Sequence, residues 1–66
     1  GAVQLNFDAV FSTVAYRLVD LGGRSVCSGV LEPGDRTLDF GDVSRGTFLL
    51  SLTSQGQRVV QPLVLE

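Results

Sequence analysis

Residues 14–30, VAYRLVDLGGRSVCSGV, decide the fold. Val14, Tyr16 and Leu18 alternate with Ala15, Arg17 and Val19, the period of two that marks a strand with one buried face. The segment Asp20-Leu21-Gly22-Gly23 then reads as a turn. Asp favours the first turn position because its carboxylate accepts nearby backbone N–H groups. Gly23 adopts the left-handed conformation that a type I turn with a G1 bulge demands, without the steric cost of a Cβ. A three-residue loop of Leu21, Gly22 and Gly23 sets Asp20 opposite Arg24, as a charge pair at the hairpin mouth. Continued along the strands, that register sets Leu18 opposite Val26 and Val14 opposite Val30. Apolar residues then face apolar residues, so turn chemistry and face pattern agree on a β-hairpin.

The 66 residues suffice for a single small domain, residues 1–66, expected to be a piece of a larger protein. A chain this short buries only ~60% of the surface that its unfolded form exposes, which holds stability to a few kcal/mol. A hydrophobic content of 44% makes it globular rather than disordered. The five basic residues are all Arg, spaced singly at 17, 24, 36, 45 and 58, and the formal net charge is −2. With no basic cluster to neutralise a phosphate backbone, nucleic acid is not an expected partner. Cys27 is the one cysteine, so no internal disulfide forms, and it reads as a small apolar strand residue. No apolar run approaches the ~18 residues of a membrane helix. No charged segment leading into an apolar run marks a secretory leader within these residues.

Outward from the hairpin, the same period recurs. Val3, Leu5 and Phe7 alternate with Gln4, Asn6 and Asp8 in a first strand. Residues 9–12 connect, with Val10 and Phe11 expected to cap one end of the core. Pro33-Gly34 reads as a type II turn, because proline presets the second φ and glycine accepts the positive third. Residues 36–40 form a strand with Leu38 and Phe40 inward, and Val43 is expected to plug the core from the connection at 41–46. Residues 47–53, TFLLSLT, are the most apolar strand and the expected centre of a sheet, with Phe48, Leu50 and Leu52 on one face. Gln55-Gly56 as a two-residue loop sets Leu52 opposite Val59 and Phe48 opposite Leu63. A three-residue loop would set Leu52 opposite Arg58, and the shorter loop wastes fewer apolar partners. Pro62 cannot donate to a ladder, so the last strand, 58–65, is an edge or carries a bulge. Turn signals about every 8–12 residues, with no helical period, describe an all-β antiparallel sandwich or small barrel. The Phe48/Leu50/Leu52 face is expected to pack against the Val14/Tyr16/Leu18 face from an opposed sheet.

Candidate chemistry is sparse. The chain has no His, so His-dependent triads cannot be built and the commonest metal ligand is missing. The carboxylates Asp8, Asp20, Glu32, Asp35, Asp39, Asp42 and Glu66 fall mostly at turns and strand ends, where local hydrogen bonding favours them. Asp39 and Asp42 lack EF-hand spacing, and Gly41 and Gly46 lack the lysine of a phosphate loop. The five aromatics, Phe7, Phe11, Tyr16, Phe40 and Phe48, read mostly as core. An enzyme is not expected, nor a catalytic, cofactor or metal site, nor a small-molecule substrate.

Three stretches carry more than a β pattern. Residues 16–26, YRLVDLGGRSV, resemble the apolar-x-apolar-Asp-x-x-Gly-Arg-x-apolar hairpin of the type A C-terminal sorting domains of the type IX (Por) secretion system. Residues 46–52, GTFLLSL, are similar to that family's Gly-x-Tyr strand. Residues 54–57, SQGQ, with the apolar strand that follows, resemble its last motif. By position, the resemblance implies a targeting motif of Asp20, Gly23, Arg24, Gly46, Phe48, Gly56, Leu63, Val64 and Leu65. Phe48 stands where the family has Tyr, Pro62 where it usually has Lys, and Glu66 where it often ends in a basic residue. The family implies a small antiparallel Ig-like β-sandwich of about six to seven short strands. It further implies a non-catalytic signal that sends its parent protein across the outer membrane of Bacteroidetes-type bacteria. Its partners would be the secretion translocon, a shuttle protein and a sortase that removes the domain during surface anchoring. The parent would pass through the periplasm to the cell surface or the medium.

The alternative is a structural Ig- or fibronectin-like accessory or interaction module of a secreted bacterial protein. For the address the free backbone of a terminal edge strand is the physically useful feature, since it can pair with a partner strand. The same edge allows a strand-swapped homodimer of the isolated domain.

Overall fold

The computed structural model describes residues 3–66, with side chains from residue 4 onward; the inward direction expected for Val3 lies outside the described residues. Six strands form: β1 (Val3–Asn6), β2 (Val14–Asp20), β3 (Ser25–Leu31), β4 (Thr37–Gly41), β5 (Gly46–Ser54) and β6 (Gln57–Leu65). They make two antiparallel sheets, a large one ordered β3-β2-β5-β6 and a small one pairing β1 with β4. The chain crosses between sheets after β1, after β3 and after β4, and the expected antiparallel sandwich results. The small sheet lies over one face of the large one. Leu38 and Phe40 from β4 meet Leu18, Leu31, Phe48, Leu50 and Leu65 from the large sheet, and Leu5, Phe7 and Val43 pack against that core.

This arrangement corrects the expected packing of faces. β2 and β5 are hydrogen-bonded neighbours, with Tyr16 opposite Leu52 and Leu18 opposite Leu50. Residues paired across an antiparallel ladder share a face. The Val14/Tyr16/Leu18 and Phe48/Leu50/Leu52 rows therefore lie side by side on one surface, covered by β4 and β1. Period alone reports that a strand has an apolar face, not which strand covers it.

The first hairpin keeps its loop and changes its register. Asp20 N donates to Arg24 O at 2.9 Å and Gly23 N donates to Asp20 O at 3.0 Å, closing the three-residue loop, with Gly23 at φ 88°. The Asp20 carboxylate accepts from the backbone N–H of Gly22 at 3.0 Å and of Arg24 at 2.9 Å. It thus binds the turn backbone rather than the Arg24 guanidinium, which corrects the expected charge pair. Beyond the loop, Val19 pairs with Ser25 but Leu18 pairs with Cys27, so Val26 is an extra residue in a bulge. Val14 consequently faces Leu31 rather than Val30. The bulge turns the buried Leu31 inward and leaves Val26 and Val30 exposed. A bulge moves every later side chain to the other face.

The second hairpin has the two-residue loop. Leu52 faces Val59 and Phe48 faces Leu63. Gln55 and Gly56 both have positive φ, 52° and 78°, the backbone of a type I′ turn. At Pro33-Gly34, Asp35 N donates to Glu32 O at 3.0 Å and Gly34 has φ 96°, completing the type II turn. The connection after β1 runs along that turn, through Phe7 N to Arg36 O, Val10 N to Asp35 O and Gly34 N to Val10 O. Val10 packs against the core, but Phe11 is 99% exposed, so only Val10 caps it. The backbone bonds of Val10 turn its neighbour outward.

Candidate functional site

The large sheet gathers most of the implied targeting motif at one end. Asp20 ends β2, Gly46 begins β5 and Leu65 ends β6, so three strand termini meet there. Asp20 pairs with Phe48, and Phe48 in turn with Leu63. Val64 pairs with Thr47, and Leu65 with Gly46. Gly23 and Arg24 sit in the turn that leaves Asp20. Eight of the nine residues therefore share one end of the sheet. Gly56 does not: it forms the β5–β6 turn at the opposite end.

The end of β6 has two chemically different sides. Leu65 is buried and Leu63 half-buried, both on the covered face. Val64 points the other way and is 61% exposed. Leu63 and Leu65 thus hold the strand to the core while Val64 stands clear of it.

The rim of β6 follows from its ladder. In an antiparallel pair, residues alternate between hydrogen-bonded and non-bonded positions, and the pair that closes a two-residue turn is bonded. Counting from Ser54–Gln57, the inward-bonding residues of β6 are the odd-numbered ones, including Leu63 and Leu65. Arg58, Val60, Pro62 and Val64 direct their backbone outward, and among the described residues β6 has no strand on its other side. Pro62 supplies a carbonyl but no N–H there. Its position opposite Leu49 leaves the ladder to β5 intact and removes one donor from the open rim. This explains how a proline sits inside a nine-residue strand.

Cys27 is half-buried and unbridged. Burial pushes its thiol above the usual range, so it is protonated at neutral pH and a weak nucleophile. Among the described residues no three acidic, Cys or His side chains gather as a metal site. Sequence reading missed one feature, a depression on the uncovered face of the large sheet between Arg17 and Arg58. Both arginines stood at outward positions of their strands, but only the strand order brings them to one place. The chain matches no protein-family model and no curated protein.

Proposed function

We propose that this domain is a non-catalytic address of the type IX sorting kind, which delivers a parent protein across an outer membrane through a translocon and shuttle. The observation that supports the reading most directly is the open rim of β6 at the end where Asp20, Gly23, Arg24, Gly46 and Phe48 converge. A partner strand laid on that rim gains main-chain hydrogen bonds, while exposed side chains such as Val64 give selectivity. The core contacts of Leu63 and Leu65 hold this strand in a fixed, extended shape before any partner arrives, which lowers the ordering cost of binding.

The test is a reporter carrying a secretory leader and this domain, expressed in a bacterium with a type IX system and followed by cell fractionation. Deleting residues 60–66 would strip Leu63 and Leu65 from the core, so loss of delivery could reflect unfolding. Val60→Lys and Val64→Lys change exposed side chains only. Surface delivery of the parent fusion, with retention of the doubly substituted but folded fusion in the periplasm, is the expected result. Equal surface delivery of both fusions argues against the rim of β6 as the part that is read, and delivery of neither argues against the address. The second reading, an accessory module that packs on a neighbouring domain, is favoured by the exposure of Val30, Leu49, Val60 and Val64 on one sheet face. On that reading the reporter fusion stays in the periplasm with or without the substitutions.

A further inference from the structure

We propose that the uncovered face of the large sheet holds an oxyanion of the phosphate-ester class between Arg17 and Arg58, independently of the address reading. The register brings the two cations together. Arg17 lies directly opposite Ser51, and Arg58 directly opposite Thr53, so the arginines rise from the strands on either side of β5. Arg58 is exposed, yet its side chain is tied back onto β5. Its Nε donates to Ser51 Oγ at 3.0 Å, which folds the guanidinium over β5 toward the Arg17 side. Ser51 is 7% exposed, so the bond sits at the bottom of a depression rather than on a flat surface.

Small side chains make that depression. Ala15, Ser28, Ser51 and Thr53 line a hollow of about 490 Å³, with the two arginines at its sides. Larger residues at these outward positions would fill it. Ser51 Oγ accepts from Arg58, which leaves its own proton to donate. Among the described residues nothing bonds to the terminal nitrogens of Arg58 or to the fork of Arg17. Guanidinium forks match the spacing of phosphate oxygens and bind them through charge-assisted hydrogen bonds.

The charge distribution points the same way. The chain as a whole carries seven acidic residues against five arginines. Yet the outward positions of β2, β3, β5 and β6 hold Arg17 and Arg58 and no carboxylate. Two like charges lining one hollow repel each other until an anion lies between them. A dianion relieves that repulsion more than a single carboxylate does. Exposed Val30, which also lines the hollow, offers an apolar contact for the organic part of an ester.

The test is an NMR titration of the intact domain with inorganic phosphate, at ionic strength held constant with sodium chloride. Saturable shifts are expected at the amides of Arg17, Ser28, Ser51 and Thr53 and at the Arg58 Nε–H. The Arg17 side chain bonds to none of the described residues, so Arg17→Gln leaves folding intact. It is expected to weaken binding about tenfold, the weight of one charge-assisted contact. Arg17→Lys should fall between, and Arg36→Gln in the β3–β4 turn should change nothing. Shifts that rise linearly without saturation, that chloride reproduces, or that survive Arg17→Gln would overturn the site. Co-sedimentation with phosphatidylglycerol vesicles that Arg17→Gln abolishes identifies a lipid headgroup as the source. Saturable phosphate binding without co-sedimentation identifies a soluble ester.

Discussion

Gly29 is where a single hydrogen atom decides local packing. It pairs with Tyr16 across the β2–β3 ladder, and the ring lies over it. A Cβ at Gly29 would stand 2.5 Å from the Tyr16 hydroxyl oxygen and 2.7 Å from the ring carbon that bears it. Gly29→Ala must therefore push the ring aside. The expected cost is about 1–3 kcal/mol, typical of overpacking, read as a lower urea midpoint. In a Tyr16→Leu background the same change should cost much less, and equal costs in both backgrounds would show that the ring is not the cause. Cys27 gives a second prediction at this scale. Because burial raises its thiol pKa, the folded domain holds the proton to higher pH than the unfolded chain does. Folding stability is thus unaffected by this group below the unfolded thiol pKa and declines as pH rises above it. Iodoacetamide should alkylate Cys27 more slowly in the folded domain than in urea at the same pH. Equal rates would contradict the burial effect.

Among the elements, the two hairpins differ in how far their sequence reached. Gln55-Gly56 has one short solution compatible with its flanking apolar residues, and the observed register follows from it. For the first hairpin the loop was legible through Asp20 and Gly23, but the bulge at Val26 was not. Val26 and Cys27 are both apolar and adjacent, so a shift of one residue leaves an equally apolar partner for Leu18. The choice falls to Leu31, which is buried only in the shifted register. Pro62 carries the prediction at this scale. Since its nitrogen faces the open rim, Pro62→Val should leave the β5–β6 ladder unchanged and restore a row of rim donors. Unfolding midpoints should stay equal or rise, while sedimentation should reveal concentration-dependent self-association. A purely monomeric Pro62→Val, or a large stability loss, would mean that the nitrogen does not face the rim.

At the scale of the whole molecule, a two-stranded lid covers a four-stranded sheet incompletely. The domain measures 30 × 24 × 15 Å, about the thickness of two packed layers. The inner face of β6 near its start remains open, with Val59 51% exposed although it faces Leu52. Stability consequently rests on few side chains, and Leu18, at 0% exposure, is the one buried completely among the described residues. Leu18→Ala should cost about 2–5 kcal/mol through lost transfer energy and a residual cavity. That is comparable with the whole stability of so small a domain, so most of the protein should be unfolded by circular dichroism at 25 °C. Phe11→Ser, at a residue 99% exposed, should move the midpoint by less than about 0.5 kcal/mol. A folded Leu18→Ala domain of near-normal stability would show that the core is spread more widely than this.

Local chemistry in the chain was enough to determine the strand content, the turns at Asp20–Gly23, Pro33-Gly34 and Gln55-Gly56, and the outer place of the strand bearing Pro62. Those features depend on dihedral preference, alternation and a missing N–H, all of which act within a few residues. Only the tertiary structure decided that β2 and β5 are neighbours and that β4 is the lid. It also decided that Arg17 and Arg58 share a hollow over Ser51 and that eight motif residues meet at one end. Each of these depends on which strands pair, and pairing is settled by the burial of Leu18, Leu31, Leu38, Phe40, Phe48, Leu50 and Leu65 together rather than by any one stretch.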